Sequence, residues 1–317
     1  MLETTHSNPL RDSAVSQVIP SRPVTKDDVT IVLPVLNEEE AMGMVLDELI
    51  SHGYQHILVV DGYSTDGTVE VAKSKGAEVV QQHSNGKTGA VRTAIDRVTT
   101  PYMLVMDGDF TYDAGYIQRF LDHANQYDQI VGARPSTNIS PVHILGNRII
   151  TRVFNIMFDS AVSDVCSGMY LLKTQSAREL DLHTGGFSTE VEVIAQMALH
   201  GNVTDVPIAY RARVGKQKLS TWRNGLQIMY SIFNVARIYN PILLFAVIAA
   251  SAVIPGLAIL LWVLASWILE GIFSSSWALL GVVLFIAGNQ AFIVGTLALM
   301  IKRSETRLTK KLRQTLT

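Results

Sequence analysis

Asp107 and Asp109 stand two apart with Gly108 between them, directly behind the apolar run 102–106. Residues two apart at the end of an extended strand point the same way. Their carboxylates can therefore grip one hard divalent cation, which in turn binds phosphate oxygens. Gly108 keeps that approach open. Two more polar groups follow apolar runs in the same manner: Asn37-Glu38 after 29–34, and Asp61 after 56–60. The Asp61 carboxylate can accept hydrogen bonds from a base or a ribose, or serve the turn before Gly62. Gly86-Lys87-Thr88-Gly89 opens a helical stretch whose free N–H groups and lysine suit an anion, although the spacing of a P-loop is absent. Arg148 and Arg152, four apart, share one face of an apolar helix that can seat a phosphate. For Arg152 a solvated surface arginine is an equal reading. No nucleophile constellation of the Gly-x-Ser-x-Gly, Cys-x-x-Cys or His-Glu-x-x-His kind occurs. The eight histidines are scattered, and His143 and His183 read as surface or packing residues.

These groups need a scaffold, and the flanking pattern supplies one. Apolar runs at 29–34, 56–60, 78–80 and 102–106 alternate with helical stretches through Met44, Leu46 and Leu49, through Val69 and Ala72, and over 86–98. Asn37 with Glu40 has the form of a capping box for the first helix. Such alternation predicts an α/β domain with a mostly parallel sheet covered on both faces. Ligands then collect beyond the carboxyl ends of the strands, where the polar groups lie.

The 317 residues hold 26 Lys and Arg against 28 Asp and Glu, a net charge of −2. A near-neutral chain argues against nucleic acid as a partner. The lone Cys166 excludes an internal disulfide and suits a reducing cytoplasm. Charge is unevenly spread: from 241 to 301 it is confined to Glu270. This predicts two transmembrane helices at about 241–268 and 277–301, with Pro255 as a kink. Asn289 and Gln290, mid-span, are expected to bond another helix and so favour a homo-oligomer. Basic flanks on both sides (Arg211, Arg223 and Arg237 before; Lys302, Arg303 and Arg307 after) predict an integral cell-membrane protein. Its large domain and both termini are expected on the cytoplasmic side, against anionic lipids. Trp222, Leu226, Met229, Tyr230 and Phe233 recur at helical spacing, which predicts an amphipathic interfacial helix over 215–240. The expected organisation is a polar flexible tail over 1–28 without a signal peptide, a catalytic domain over 29–214, the interfacial helix, the membrane pair over 241–301 and a basic tail over 302–317.

At this level of detail the chain resembles the GT-A glycosyltransferases of family 2. The resemblance is carried by Val29-Thr30-Ile31-Val32-Leu33-Pro34-Val35-Leu36-Asn37-Glu38, by Asp61-Gly62-Tyr63-Ser64-Thr65-Asp66-Gly67-Thr68, and by Asp107-Gly108-Asp109. Gly132-Ala133-Arg134, Gly146-Asn147-Arg148, Ser163-Asp164-Val165-Cys166-Ser167-Gly168 and Arg213-Val214-Gly215-Lys216-Gln217-Lys218 look like its dolichyl- or polyprenyl-phosphate sugar synthase branch. The resemblance implies inverting transfer of a single sugar from a nucleotide sugar to dolichyl or polyprenyl phosphate. Pro34, Leu36, Asn37, Glu38, Asp61, Lys87 and Asp107 would bind the nucleotide sugar. Asp107 and Asp109 would hold Mg²⁺ or Mn²⁺, and with Arg134 would form the catalytic set. Arg134, Arg148, Arg213 and Lys218 would bind the acceptor phosphate. Three departures stand out: Gly62 replaces a usual second aspartate, Thr111 replaces a frequent glutamine, and Gln217 replaces the serine that commonly precedes Lys218. The first leans toward a UDP-sugar, with GDP-mannose as the other donor.

A phosphate monoester is already anionic at neutral pH, so such a nucleophile needs positioning and charge control rather than a general base. Other readings are a polymerising family 2 enzyme, a sugar nucleotidyltransferase and a catalytically silent scaffold for lipid-linked sugar. The first usually carries Gln-x-x-Arg-Trp, whereas here Trp222-Arg223 is reversed. The second has no use for a membrane pair. Retention of Asp107, Asp109, Arg134 and Arg148 argues against the third.

Overall fold

The computed structural model describes residues 22–135, 141–158, 160–182, 189–215 and 241–316. Seven strands form one sheet: β1 (Val29–Val35), β2 (Ile57–Asp61), β3 (Glu78–Gln81), β4 (Tyr102–Val105), β5 (Gln129–Ala133), β6 (Tyr170–Lys173) and β7 (Val203–Pro207). Their order is β3-β2-β1-β4-β6-β5-β7. Only β6 runs against its neighbours, pairing antiparallel with β4 and β5. The helices of this part are α1 (Glu39–Ser51), α2 (Thr68–Ser74), α3 (Gly86–Arg97), α4 (Ile117–His123), α5 (Pro141–Phe158), α6 (Thr174–Ala177) and α7 (Thr189–His200).

Alternation along the strands builds two core layers. In β1, Val32 joins Val91, Phe154 and Ile194 on one face of the sheet. Ile31 and Leu33 join Met42, Leu46 and Phe120 on the other. A strand buried on both faces is mostly apolar, which is why β2 before Asp61 and all of β4 read as apolar runs, and why Thr30, the one polar residue of β1, shares a hydrogen bond with Thr100. Since β1, β2, β4, β5 and β7 all point one way, their carboxyl ends share an edge with the segment leading into β6. That edge collects Asn37, Glu38, Asp61, Asp107, Asp109, Arg134, Asp164, Gly168 and Arg213.

The expected capping box is not formed. α1 starts at Glu39 with Glu38 as its N-cap residue and no side-chain cap bond. Asn37 instead takes a left-handed backbone, φ 52°. Its Oδ1 accepts from the Thr65 N–H at 2.7 Å, and its own N–H donates to Ser64 Oγ at 2.8 Å. Asparagine tolerates this conformation better than most residues, and here it ties the β1 and β2 loops together. Of the N-terminal arm, residues 22–28 are described; only Asp28 is buried, and polar contacts tie the arm down. Arg22 pairs with Asp28, and Asn125 Nδ2 donates to the Arg22 carbonyl at 3.0 Å.

Two further helices follow, α8 (Pro241–Glu270) and α9 (Ser275–Leu316). Phe245–Glu270 and Ser275–Ala298 are long and apolar enough to cross a membrane, and only 17% of the most apolar window in each is buried. A core helix of a water-soluble protein would hide such side chains; here Leu261 and Trp267 are more than half exposed. The pair folds back tightly because Gly281, Gly288 and Gly295, seven apart, leave room for α8. A Cβ on Gly288 would come within 2.5 Å of Val253 Cγ2, and one on Gly281 within 2.8 Å of Leu260 Cγ. α8 continues through Pro255. α9 continues past the apolar part to Leu316, so the basic tail belongs to the same helix. Within this chain, Asn289 bonds its own helix rather than another one. Its Nδ2 donates to the Phe285 carbonyl one turn back, at 2.9 Å, and Gln290 is exposed. The expected interfacial helix lies outside the described residues except for Gly215.

Candidate active site

Asp61 closes β2 and is 1% exposed. Its carboxylate accepts from the Tyr63 and Ser64 N–H groups at 3.1 and 3.2 Å, so it shapes its own turn while remaining at the strand end. Both readings of Asp61 are thus compatible. Leu36 stands beside it, 46% exposed, with half-buried Pro34 within β1. Gly62 explains the missing second carboxylate in steric terms. A Cβ there would lie 3.1 Å from the Val35 carbonyl oxygen and 3.4 Å from Gln82 Oε1.

Asp107 and Asp109 follow β4 as expected, but each already meets a cation. Lys87, from the first turn of α3, contacts Asp107 and reaches Glu190 at 2.5 Å. Burial alone would pull the Lys87 pKa down; the Asp107 and Glu190 carboxylates outweigh it and hold the ammonium well above its ordinary value. Arg213 spans two elements. Its Nη1 donates to Asp109 Oδ2 at 2.9 Å, and its Nη2 to Glu38 Oε1 at 2.5 Å. Thr111 donates to the other Asp109 oxygen through both its N–H (3.2 Å) and its hydroxyl (2.5 Å). Burial and the neighbouring Asp107 push the Asp109 carboxyl up, against the opposing pull of Thr111 and Arg213. The approach is narrow: a Cβ on Gly168 would collide with the Asp107 carboxylate.

Arg134 follows β5. Its Nε and Nη2 donate to the two oxygens of Asp164 at 2.6 and 3.0 Å, and its guanidinium lies over Tyr210, 5.3 Å from the ring centre. Asn147 Nδ2 also donates to Asp164, at 3.0 Å. Burial raises the Asp164 carboxyl, yet Arg134 and these hydrogen bonds prevail and hold it below the usual value. Arg148 and Arg152, on α5, are exposed and line an open groove of about 520 Å³ with Thr151, Asn155, Ile156, Ser160 and Ser163.

The structure therefore brings Asn37, Glu38, Asp61, Lys87, Asp107, Asp109 and Arg213 to the β1–β2–β4 end of the edge, with Pro34 and Leu36 beside them. Arg213, expected with the acceptor phosphate, pairs with Glu38 and Asp109, because the chain leaving β7 runs beside the loop after β4. Lys218 lies outside the described residues. Glu190 escaped sequence reasoning, since one acidic residue in the first turn of a helix is ordinary. Only its contact with Lys87 marks it.

Among the described residues, no group of three or more His, Cys, Asp or Glu is placed to hold a metal ion. The two strand-end carboxylates fit Mg²⁺ or Mn²⁺ in the way hard cations are commonly held, by one or two carboxylates with substrate phosphates completing the shell.

A model of glycosyl transferase family 2 matches residues 30–180. Glycosyltransferase AglJ of Haloferax volcanii is 32% identical over 287 residues, covering 87% of this chain and 94% of that protein. The chain belongs to glycosyl transferase family 2. A dolichyl-phosphate hexose transferase of the same organism is 32% identical over 218 residues, covering 67% of this family 2 chain and 95% of its relative. Among solved structures, glucosyl-3-phosphoglycerate synthase from Mycobacterium tuberculosis, in complex with Mn²⁺, UDP and glucosyl-3-phosphoglycerate, superposes with a TM-score of 0.57 at 18% identity. That match covers 66% of this chain and 79% of the synthase, and it establishes the shared GT-A fold. This protein is a glycosyltransferase.

Proposed function

We propose that this glycosyltransferase moves one sugar, with inversion, from a nucleotide sugar to dolichyl or polyprenyl phosphate. A UDP-sugar is the favoured donor and GDP-mannose the second. The observation that carries the reading is the meeting of Glu38, Asp107 and Asp109 with two cations, Lys87 and Arg213, on the sheet edge that also holds Asp61. In this reading Pro34, Leu36, Asn37, Glu38 and Asp61 line the nucleoside, and Asp107 and Asp109 hold Mg²⁺ or Mn²⁺. The metal, when bound, would neutralise the donor diphosphate. Lys87 would share that charge, and Arg213, beside Asp109, would hold phosphate near the reacting centre.

Arg148 and Arg152, with Lys218, receive the acceptor phosphate, since arginine forks hold phosphate bidentately. α5 also exposes Leu145, Ile149 and Ile156, an apolar and basic surface suited to a lipid carrying a phosphate. Arg134 orients the acceptor side from its anchor on Asp164. The relative's name, dolichyl-phosphate hexose transferase, supports the lipid acceptor, and α8 with α9 supplies a membrane anchor that holds a cytoplasmic site against the bilayer. Gln290, exposed on α9, favours self-association there.

The test is turnover by the purified full chain with UDP-sugars or GDP-mannose, polyprenyl phosphate and Mn²⁺, read as a lipid-linked monosaccharide by mass spectrometry. One sugar per lipid is expected. Chains of several sugars would establish the polymerising alternative, and binding without turnover would establish the scaffold.

A further inference from the structure

Tyr63 is a bulky residue in a left-handed backbone, φ 67°. Such a residue in this region is an outlier, and strain of this kind gathers at ligand sites. Its side chain is 53% exposed, yet it is not loose: its hydroxyl donates to the Gln82 carbonyl at 3.1 Å. Gln82 follows β3, and its N–H donates to the Asp61 carbonyl at 3.0 Å. The ring is thereby tied across the ends of β2 and β3. Leu36, also exposed, comes up to the same turn, its Cβ 3.5 Å from where a Cβ on Gly62 would stand. Two exposed side chains thus stand at the turn whose N–H groups hold the buried Asp61 carboxylate. An aromatic face next to a hydrogen-bond acceptor is the chemistry that holds a nucleobase, by stacking together with an N–H donated from the base edge.

We propose that Tyr63 is a base-contacting residue of the donor site, its ring held by Gln82 to cover the nucleobase of the nucleoside diphosphate at Asp61. This rests on reading the β1 and β2 ends as the nucleoside pocket. The test measures binding of UDP, GDP and inorganic pyrophosphate, each with Mn²⁺, to the full chain in detergent by calorimetry. Tyr63→Gly removes the ring and the strain together. It should weaken the better-bound nucleotide about tenfold, the scale of one stacked base, and leave pyrophosphate unchanged. Its melting temperature should stay near that of the wild type, because relief of the left-handed strain offsets the lost hydroxyl contact. Tyr63→Phe, which keeps the ring and frees the tether, should lose about threefold. Unchanged nucleotide affinity in Tyr63→Gly, or equal losses for nucleotide and pyrophosphate, would overturn the proposal while leaving the donor site standing. Failure of the wild type to bind either nucleotide would overturn both.

Discussion

The two ends of the sheet's carboxyl edge hold charge differently. At the β1–β2–β4 end three carboxylates already have a cation against them: Lys87 on Asp107, Arg213 on Asp109 and Glu38. At the β5–α5 end Arg134 is locked to Asp164, while Arg148 and Arg152 are exposed and make no hydrogen bond or ion pair among the described residues. At the first end acid and base are already paired, and at the second the two α5 arginines have no acidic partner among the described residues. In the proposed reading a donor exchanges partners at the first end, and an anionic acceptor supplies them at the second.

Four measurements would break or sharpen that contrast. Asp109→Ala strikes the paired end and should lower turnover by roughly 10²- to 10³-fold, the scale of losing one preorganised charge contact. Circular dichroism should show the fold intact, and full activity would remove Asp109 from the donor site. Lys87→Met leaves Asp107 and Glu190 facing each other with no cation between them. Loss of the cation from this partly buried cluster should cost about 2 kcal/mol in denaturant unfolding, and adding Glu190→Gln should restore part of it. At the α5 end, the double change Arg148→Ala and Arg152→Ala should raise KM for the lipid phosphate about tenfold, a loss of roughly one charged hydrogen bond. UDP affinity should not change, and a matching loss there would erase the distinction between the two ends.

The smallest effect is expected from pH. Asp164 is held below its ordinary value of 3.8, so its stabilising share is present above about pH 4 and fades as pH falls through the folded value. Asp164→Asn should therefore cost about 1–2 kcal/mol near neutrality and flatten the acid side of a melting-temperature profile. An unchanged acid limb would show that Arg134 does not depend on this partner.

Much of the fold was legible because it is local. The β1, β2 and β4 runs are apolar apart from Thr30 in β1, and the polar residues that end them could lie only at the rim of a buried sheet. Asn37 was misread as a cap since its side chain has two uses, and the choice was made by Thr65 in a loop far along the chain. Arg213 was read by its company in a basic motif, although its partners precede it by more than a hundred residues. Asn289 was expected to bond another helix because a polar group in an apolar helix wants a partner. Within this chain the Phe285 carbonyl, one turn back, takes its Nδ2, and the glycines on α9 bring α8 close without a polar contact from Asn289.

Residue identity alone determined that this chain has a parallel α/β domain with Asp61, Asp107 and Asp109 at its strand ends, and a nearly uncharged pair of helices behind it. Periodicity and burial act over a few residues, so a linear reading can follow them. Only the tertiary structure decided which charges meet. Arg213 with Glu38, Lys87 with Glu190, and the ring of Tyr63 across the ends of β2 and β3 all depend on where distant segments return. No local pattern specifies that, because an ion pair or a hydrogen bond is set by distance in space and not by separation along the chain.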